Sequence, residues 1–397
     1  MVNKIHIQNF KSIYDLEVEV GRVNLFIGEN GSGKSNLLEA LVFVSASESN
    51  KLDNEFLVSR GLRVPEPELM RSAFEKDNKD KEIEVTLYNT KDTTCNIYLG
   101  RFNHDNTPYG KWLTDYEYGL EKIIKESNPK RTRKDIENVK EYLHTLPEMN
   151  EIKKDISHEK RYVDGEYTIE TKFENNNDSY LNNFIIYSPE NTSLRIFQKE
   201  GQIQPLGING EGLLKLLQVI NNYEEKSYIN TIVESLQLFN WFEDITIPTD
   251  SLENIVVIKD KYLYREFTQQ SANEGFLFIL FYITLIVAKE TPKAFAIDNI
   301  DASLNPKLCT KLMTILVDLA KKYDKQIFLT THNPAILDGI DLNDEEQKLF
   351  VVSRNKQGHT RMKEIGAEDK PKSSTNEPIK LSEAFLRGYL GGLPKGF

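Results

Sequence analysis

Cysteine is scarce in this sequence, which has only two such residues, Cys95 and Cys309, in a chain of 397. They lie far apart and lack the paired spacing of a zinc site or of a disulfide framework. A chain that uses neither disulfides nor clustered thiolates is typical of a reducing compartment. We therefore expect an intracellular setting.

Long apolar runs are also missing. The longest one, residues 276–288, is shorter than the ~20 residues that a helix needs to cross a bilayer. The first residues lack the charged and then apolar layout of a signal peptide. These absences argue against a fused transporter and predict a cytoplasmic protein with no membrane partner.

An excess of basic side chains is absent as well. The chain has 61 acidic and 50 basic side chains, and its formal net charge is −11. A chain of this charge has no general attraction for nucleic acid or for an anionic membrane surface. Any contact with such a partner has to be local.

Apolar residues recur with two different periods along the chain. Residues 2–8 and 16–20 alternate apolar and polar side chains, as paired strands do, and residues 23–27 are continuously apolar. Further segments predict two helices and two more short strands, at 35–43, 306–322, 294–297 and 326–329. Strands that alternate with helices predict an α/β fold, in which a mixed, mainly parallel sheet is flanked by helices.

The middle of the chain follows a looser pattern. Charged, tyrosine-bearing stretches there predict strands and then helices, at 82–88, 96–99, 114–127 and 132–157. We therefore divide the chain into a head, residues 1–50 and 180–365, and an inserted α-rich lobe, residues 51–179. In the second part of the head we also expect a helical stretch near 207–240 and a hairpin at 255–264.

The C-terminal segment, residues 366–397, has two parts. Residues 366–378 are polar and aperiodic, which predicts a flexible linker. A helix follows, with Ser382 as its N-cap, Gly391-Gly392 as its stop and one apolar stripe: Leu381, Phe385, Leu386, Tyr389 and Leu390. This helix could dock onto a partner protein, or it could fold back onto the core of its own chain.

A glycine-rich loop joins the apolar strand at 23–27 to the helix at 35–43. Residues 28–35 read Gly-Glu-Asn-Gly-Ser-Gly-Lys-Ser. In such a P-loop the glycines let backbone N–H groups face phosphates, the lysine neutralises phosphate charge and the hydroxyl binds magnesium. The flanking strand and helix make a mere glycine-rich turn the weaker interpretation. The predicted nucleotide-binding residues are Asn30, Gly31, Ser32, Gly33, Lys34, Ser35 and Asn36.

Two other strands end in polar side chains that suit the same chemistry. Asp298 follows the apolar strand at 294–297, where it can hold Mg²⁺ together with Ser35. His332 follows the strand at 326–329, where it can hydrogen-bond a γ-phosphate or the attacking water. Either residue alone could be structural. The order of P-loop, acid and histidine favours a site for ATP and Mg²⁺.

These motifs give the sequence a resemblance to the ABC-type ATPase heads of the RecF, SMC and OLD group, in the compact AAA-type form found in many bacterial antiphage systems. The matching stretches are residues 5–12 (IHIQNFKS), 24–41 (NLFIGENGSGKSNLLEAL), 298–306 (DNIDASLNP) and 330–334 (TTHNP). They do not cover the lobe at 51–179. The resemblance implies a P-loop ABC-type head that binds and hydrolyses ATP with Mg²⁺.

The resemblance also implies that two chains share each site. In the family a serine-glycine element opens a helix and meets the ATP of a second head, and residues 271–275 resemble it, with Ser271 and Gly275 at the matching positions. A helix N-terminus with a free hydroxyl suits a γ-phosphate, although Ser271 could also be an ordinary helix cap. A nucleotide-dependent homodimer or higher homo-oligomer is then expected.

Lys11 is a further candidate in the opening element. It stands where a basic residue of the resembling proteins approaches the nucleotide phosphates. The alternative is a solvated lysine beside a strand.

One departure from the family concerns catalysis. The family places a glutamate directly after the strand aspartate as general base, and this chain has Asn299 there. Asparagine can hold a water molecule but cannot accept its proton, and loss of a general base costs about 10² to 10⁴ in rate. We expect slow hydrolysis, so that bound ATP is the signal. Alternatively, Asp301 or His332 takes over as the base.

Further absences narrow what such a head acts on. The chain lacks the sustained heptads of an SMC or Rad50 coiled-coil arm, and too few residues follow His332 for the TOPRIM domain of OLD nucleases. An effector in trans is implied, as in the ATPase subunits of the defence systems Septu, with an HNH nuclease partner, and PARIS, with a TOPRIM-like one. We therefore expect a switch subunit that regulates a partner nuclease through ATP-dependent dimerisation.

The alternative function is that of a RecF-like repair ATPase that binds duplex DNA. Its local support is the basic cluster at residues 129–134, Pro-Lys-Arg-Thr-Arg-Lys, which could contact phosphates. A charge run of this length is usually a solvated loop.

Overall fold

The computed structural model describes residues 1–49, 51–75, 78, 81–91, 94–104, 106, 110–128, 131–145, 159–163, 166–170, 181, 183–197, 201–250, 253–371 and 379–393. The strands are β1 (Lys4–Phe10), β2 (Ile13–Glu19), β3 (Val23–Gly28), β4 (Ile83–Lys91), β5 (Thr94–Asn103), β6 (Leu113–Thr114), β7 (Glu159–Val163), β8 (Glu166–Glu170), β9 (Ile186–Tyr187), β10 (Phe242–Thr246), β11 (Val257–Asp260), β12 (Phe267–Thr268), β13 (Ala294–Ile297), β14 (Gln326–Thr331), β15 (Gln347–Arg354) and β16 (Thr360–Glu364). The helices are α1 (Lys34–Glu48), α2 (Asn54–Ser59), α3 (Pro67–Met70), α4 (Asp115–Ser127), α5 (Arg133–His144), α6 (Leu213–Asn221), α7 (Ser227–Leu236), α8 (Glu274–Val287), α9 (Pro306–Lys322) and α10 (Leu381–Leu386).

The central sheet has the strand order β16-β15-β3-β14-β13-β9. Neighbouring strands from β15 to β9 run parallel, and β16 pairs antiparallel with β15 at one edge. The expected mixed, mainly parallel sheet is confirmed. Because parallel strands end at the same edge of a sheet, the segments that follow β3, β13 and β14 lie side by side.

The two faces of this sheet carry separate apolar cores. On β3, Leu25 and Ile27 pack into the core that α6, α7, α8 and α9 share, whereas Phe26 packs on the opposite face with α1 and β1. On β14, Leu329 and Phe328 divide in the same way. Alternate residues of a strand point to opposite faces, so continuously apolar strands imply helices on both sides.

α8 lies within one of these cores. Its residues from Gly275 to Val287 are all buried, as expected for a helix that is apolar all round. This helix accounts for the apolar run at 276–288. In the described part of the chain, no helix has both the length and the hydropathy needed to cross a membrane.

A second, antiparallel sheet starts in the N-terminal strands and extends into the segment expected to be an inserted lobe. In it β1 lies between β2 and β4, and β4 pairs with β5. The expected strands near 82–88 and 96–99 thus continue the sheet of the head, since the free edge of β1 needs a partner. We therefore propose that any inserted part begins later than residue 51, and its described residues include strands as well as helices.

α4 and α5 correspond to the helices expected at 114–127 and 132–157. α5 ends at His144, and residues 146–158 lie outside the described ones. Each helix begins with a capping box, which satisfies the first free N–H groups. A small apolar cluster joins the pair through Leu120, Ile124 and Ile136.

The hairpin expected at 255–264 is displaced along the chain. β11 pairs with β10 on one side and with β12 on the other, so residues 261–266 form the loop between β11 and β12. The apolar side chains of Tyr262, Leu263 and Tyr264 are exposed on this loop, although they suggested a strand. The helical stretch near 207–240 consists of two helices, α6 and α7.

The C-terminal helix folds back onto the core of its own chain. α10 buries Leu381, Ala384 and Phe385 in the core that contains α8 and α9. It packs beside a 3₁₀ turn, Pro334–Gly339, which follows β14. Folding back, the alternative to docking on a partner, is thus the arrangement that the structure shows.

Ser382 does not cap this helix, contrary to expectation. Lys380 occupies the N-cap position, and the Ser382 backbone N and Oγ donate to the two carboxylate oxygens of Asp338, at 3.0 and 2.7 Å. Asp338 therefore satisfies a free N–H of the first turn from a neighbouring segment. The sequence around Ser382 gives no sign of this distant partner.

The end of α10 and the expected linker before it also differ from expectation. α10 ends at Leu386, ahead of Gly388 with its φ of +77°, rather than at Gly391-Gly392. Residues 366–371 of the expected linker include a 3₁₀ turn, Ala367–Asp369. Residues 372–378 lie outside the described part of the chain.

Phe385 and Leu386 allow a test of this packing. Phe385 is 5% exposed and Leu386 is 64% exposed, so we expect Phe385→Ala to lower the free energy of unfolding by about 3 kcal/mol. Leu386→Ala should change it by less than about 0.5 kcal/mol. Urea denaturation measures both. Equally small losses would show that the helix is detached in solution.

Candidate functional site

The residues expected to form one site meet at the carboxyl edge of the central sheet. β14 pairs with β3 on one side and with β13 on the other, which places the loop after β3 near Asp298 and His332. The hydroxyl of Ser35 lies 3.3 Å from each carboxylate oxygen of Asp298. The sequence order of P-loop, acid and histidine thus becomes a single cluster.

The glycines of the P-loop occupy positions that a side chain would block. A Cβ at Gly28 would lie 2.1 Å from the carbonyl oxygen of Val352, and one at Gly33 would lie 2.0 Å from the Thr360 Oγ1. Gly33 also has a φ of +106° and sits at the N-cap of α1. The loop therefore stays narrow and leads directly into the N-terminus of α1, where anions bind favourably.

Lys34 is buried, and among the described residues it donates hydrogen bonds only to the loop itself. Its Nζ donates to the carbonyl oxygens of Gly28 and Glu29 at 2.9 and 3.0 Å. Burial lowers the pKa of Lys34 to about 8, although the negative charges of Asp298 and Asp301 oppose the shift. An ammonium group that is desolvated in this way gains strongly from an anionic ligand.

Ser32 also indicates an anionic ligand. Its Oγ is buried, and it makes no hydrogen bond with any described residue. A buried hydroxyl without a partner is unfavourable, and a phosphate oxygen would satisfy it. The narrow glycine loop, the desolvated lysine and this free hydroxyl together fit the polyphosphate of a nucleotide.

Ser35 and Asp298 provide oxygen donors for a metal ion. Among the described residues, no group of three or more His, Cys, Asp or Glu side chains could hold a metal. Magnesium suits such a sparse site, because it commonly takes one or two protein oxygens and fills its shell with phosphate oxygens and water. These two residues therefore fit Mg²⁺ bound together with a nucleotide.

Thr330 holds the acidic residue in place. Its Oγ1 donates to Asp298 Oδ1 and accepts from the backbone N of Asn299 at 2.9 Å. Thr330 lies in the stretch that resembles the histidine element, but the sequence gave it no role. A hydroxyl at the end of β14 explains how two neighbouring strands keep the carboxylate fixed.

The three candidate catalytic residues surround this point. Asn299 is exposed and has a φ of +56°, a conformation that asparagine tolerates better than most residues. Asp301 Oδ1 accepts from Thr331 Oγ1 at 2.7 Å and from the backbone N of His332 at 3.2 Å. Asp301 thus fixes the backbone that carries His332.

The surroundings of His332 favour a neutral imidazole. Partial burial lowers its pKa, and the charge of Lys34 lowers it further, whereas Asp301 and Asp298 act in the opposite direction. The ring also interacts with the backbone of Gly28. A neutral ring can donate with one nitrogen and accept with the other, which suits contact with a phosphate and its attacking water.

Lys11 lies at this site but is engaged by other residues. Its Nζ donates to Glu39 Oε2 and to the carbonyl oxygen of Arg63, and burial lowers its pKa. The alternative of a solvated lysine is therefore wrong. Glu39, which is 1% exposed, also accepts from Arg63 Nε at 2.7 Å.

A cavity beside the P-loop adds residues that sequence reasoning missed. Its volume is about 520 Å³, and it is lined by Lys11, Ser12, Asn36, Arg63, Val64, Pro65, Leu69, Arg71, Ala73, Phe74 and Arg354. Asn36 Nδ2 donates to Ser12 Oγ at 2.6 Å, and Arg354 Nε donates to the carbonyl oxygen of Gly31 at 2.7 Å. Apolar walls next to a phosphate-binding loop could receive the base of a nucleotide. The contributions from residues 63–74 and from Arg354 carry no local sequence signal.

Ser271 and Gly275 lie elsewhere, at the start of α8. Asn273 caps this helix by accepting from the backbone N of Phe276, so Ser271 is not the ordinary cap that we considered. Ser271 is exposed at the end of a 3₁₀ turn, Gln269–Ser271. Within the described residues no hydrogen bond joins Ser271 or Gly275 to the P-loop.

Arg195 fixes the turn that carries Ser271. Its guanidinium donates to the carbonyl oxygens of Gln269, Gln270 and Ala272 at 2.8 to 2.9 Å. Gly275 lies against Ser303 and Leu304, and Ser303 Oγ donates to Glu274 Oε1 at 2.6 Å. The start of α8 is thus tied to the loop that follows Asp298.

The basic cluster at 129–134 is only partly free for a ligand. Arg131 donates to the carbonyl oxygen of Ile124 and to Ser127 Oγ at the end of α4, and Thr132 caps α5. Residues 129 and 130 lie outside the described part. This cluster therefore has a structural use, which weakens it as a DNA contact.

This fold and these motifs define an ABC-type ATPase of the RecF and SMC group. The chain belongs to the family described as "AAA domain, putative AbiEii toxin, Type IV TA system", whose profile matches residues 23–338.

Individual relatives agree with this assignment over short segments. An uncharacterized protein of Methanocaldococcus jannaschii is 36% identical over 95 residues, which is 22% of this chain and 42% of that protein. The DNA replication and repair protein RecF of Lactobacillus acidophilus is 36% identical over 55 residues, which is 14% of this chain and 15% of RecF. RecF of Listeria welshimeri is 38% identical over 55 residues, which is again 14% of this chain and 15% of that RecF. The matches thus span less than half of these curated relatives.

The fold is similar to that of an SMC head. A crystal structure of the SMC head bound to the C-winged helix domain of ScpA aligns with a TM-score of 0.56 and 14% sequence identity. The alignment covers 92% of this chain and 98% of the other. At this identity the likeness shows the shared fold.

Thr330→Val tests the hydroxyl that holds Asp298. The change keeps the shape but removes the hydrogen bond to a carboxylate, and such bonds contribute about 1.5–3 kcal/mol. We expect ATP affinity with Mg²⁺ to fall about tenfold, and the affinity in EDTA to stay unchanged. Titration with a fluorescent ATP analogue measures both.

Thr284→Val is the matched control for that change. Thr284 is also buried and loses one hydrogen bond, to the carbonyl oxygen of Leu280 in α8. It should leave both affinities unchanged. An equal loss with Mg²⁺ and with EDTA in Thr330→Val would contradict the metal-linked role.

Proposed function

We propose that the protein is an ATP-dependent switch that works as a homodimer. Each ATP is held between the P-loop of one copy and the Ser271 turn of the other. The observation that carries this proposal is the separation of the two halves within one chain. The P-loop, Asp298 and His332 meet at one sheet edge, whereas Ser271 is exposed at the start of α8.

The roles in the proposed site follow from the contacts. Lys34 donates to phosphate oxygens, and backbone N–H groups of the P-loop bind the same phosphates. Ser35 and Asp298 hold Mg²⁺, which supplies positive charge at the phosphates. Thr330 orients Asp298, and His332 contacts the γ-phosphate or its attacking water.

Hydrolysis in this site is slow. Asn299 stands beside the metal residue, but its amide cannot accept a proton. Asp301 is held by Thr331 and by the backbone of His332, which favours a positioning role over that of a base. ATP binding is therefore the signal, and turnover resets it.

We propose that the switch regulates a nuclease supplied by a separate gene, of the HNH or TOPRIM type, in a bacterial antiphage system. The description of the family names a toxin–antitoxin system, and such systems pair two gene products. A pair of gene products of this kind supports an effector in trans.

Mixing two inactive variants tests the shared site. Lys34→Met removes the phosphate lysine, and Ser271→Arg blocks the turn that faces the other copy, so each variant alone should have lost most ATP turnover. An equal mixture should recover turnover, roughly a quarter of the wild-type value if the two variants pair at random, because half of the dimers are then mixed and each mixed dimer has one intact site of two. Phosphate release over hours measures it.

The outcome of mixing distinguishes a site shared between two chains from a complete site in each chain. Recovery requires that one chain supplies the P-loop and the other supplies Ser271. Wild-type turnover in Ser271→Arg alone, or no recovery on mixing, would show that each chain holds a complete site.

Asn299→Glu tests the reason for slow turnover. A carboxylate at this position can accept the proton of the attacking water, so we expect turnover to rise by about 10² to 10⁴. Asn299→Gln is the matched control, because it has the same length and the same strain at the left-handed φ of Asn299 but no basic group. Similar rates in the two variants and in wild type would contradict slow hydrolysis through Asn299.

A second candidate function is RecF-like binding of duplex DNA. The segments shared with RecF favour it, although they span 15% of that protein. Fluorescence anisotropy with a labelled duplex distinguishes the two functions. Salt-dependent binding that is lost when Lys130, Arg131, Arg133 and Lys134 are neutralised would favour repair, and no binding by the chain alone would favour the switch.

A further inference from the structure

The C-terminal tail is anchored beside the histidine of the site. Ser382 donates twice to Asp338, and Asp338 belongs to the 3₁₀ turn that begins two residues after His332. Leu381, Ala384 and Phe385 bury the inner face of α10 against the core. One end of the tail is thus fixed to the segment that carries His332.

The other end of the tail reaches the first glycine of the P-loop. Leu390 is buried, and Gly391 and Gly392 follow it with φ values of +80° and +77°. A Cβ at Gly392 would lie 2.5 Å from Val351 Cγ1 and 3.8 Å from the Cα of Gly28. The backbone at Gly392 therefore lies close to β15 and to the start of the P-loop, and a side chain there would collide with Val351.

Gly28 is the residue that links the tail to the chemistry of the site. Its carbonyl oxygen accepts from Lys34 Nζ at 2.9 Å, and its backbone also interacts with His332. A bound phosphate would compete with this carbonyl for the Lys34 ammonium. The position of Gly28 consequently affects how readily Lys34 and His332 turn to a ligand.

We propose that residues 381–392 are a positioning segment of the nucleotide site, which clamps the backbone of Gly28 relative to the turn after His332. The segment touches both supports of the phosphate-binding groups without contacting the phosphate itself. This inference rests on the proposed ATP site. It replaces a docking role for the buried face of α10 with a role inside the chain.

Two neighbouring glycines supply a matched pair for the test. Gly391→Ala and Gly392→Ala place an alanine at nearly the same positive φ, so both variants carry similar backbone strain. Among the described residues, a Cβ at Gly391 would meet no heavy atom within 4 Å beyond its chain neighbours, whereas a Cβ at Gly392 would collide with Val351. Only Gly392→Ala should displace the contact with Gly28.

ATP affinity of the full-length variants, measured by isothermal titration calorimetry, is the readout. We expect Gly392→Ala to bind ATP about tenfold more weakly than Gly391→Ala. Val351→Ala should restore most of the affinity of Gly392→Ala, because it removes the atom that a Cβ would strike, whereas a defect caused by backbone strain alone would not be rescued in this way. Equal affinities of the two glycine variants, or no rescue, would overturn the inference.

Hydrogen exchange of the unaltered protein keeps the test independent of variant folding. ATP with Mg²⁺ should slow amide exchange at residues 388–393 but not at residues 227–236 of α7. Unchanged exchange at 388–393 in a protein that binds ATP would overturn the inference alone. A wild-type protein that binds no ATP would overturn the proposed function and this inference together.

Discussion

The parallel pairing of β3, β14 and β13 is the constraint on which the site depends. It brings the ends of three strands to one edge, where Ser35, Asp298 and His332 follow them. The Ser35 hydroxyl then lies within 3.3 Å of the Asp298 carboxylate, and Thr330 holds the same carboxylate from the middle strand. A shift of register between any two of these strands would separate the phosphate loop from the metal residue and the histidine.

Burial at this edge leaves several groups short of favourable partners. Lys34 is desolvated and bonded to carbonyl oxygens of its own loop, and Ser32 Oγ is buried without a hydrogen bond to any described residue. Both conditions are unfavourable in the free protein and are relieved by a polyphosphate. The site thus stores part of its binding free energy as incomplete hydrogen bonding, which is consistent with a switch that responds to the arrival of ATP.

The sequence was sufficient for the central sheet and for the clustering of its polar ends. Continuously apolar strands, a helix after a glycine loop and the general alignment of parallel strands predict that Asp298 and His332 lie near Lys34. Contacts between distant segments could not be predicted from the sequence, because no periodicity connects Ser382 with Asp338 or Gly392 with Gly28. The same limit applies to Arg354 and Arg63, whose local sequence shows only exposed basic residues. The pairing of β4 with β1 likewise joins segments that the sequence pattern placed in different parts of the protein.

We propose that the P-loop of one copy and the Ser271 turn of another form one ATP site. The molar mass of the wild-type protein in solution, measured by light scattering with and without ATP and Mg²⁺, tests it most directly. We predict twice the mass of one chain with ATP and Mg²⁺, and the mass of one chain without nucleotide or with Lys34→Met. A mass that ATP leaves unchanged, in a protein that binds ATP, would contradict the account.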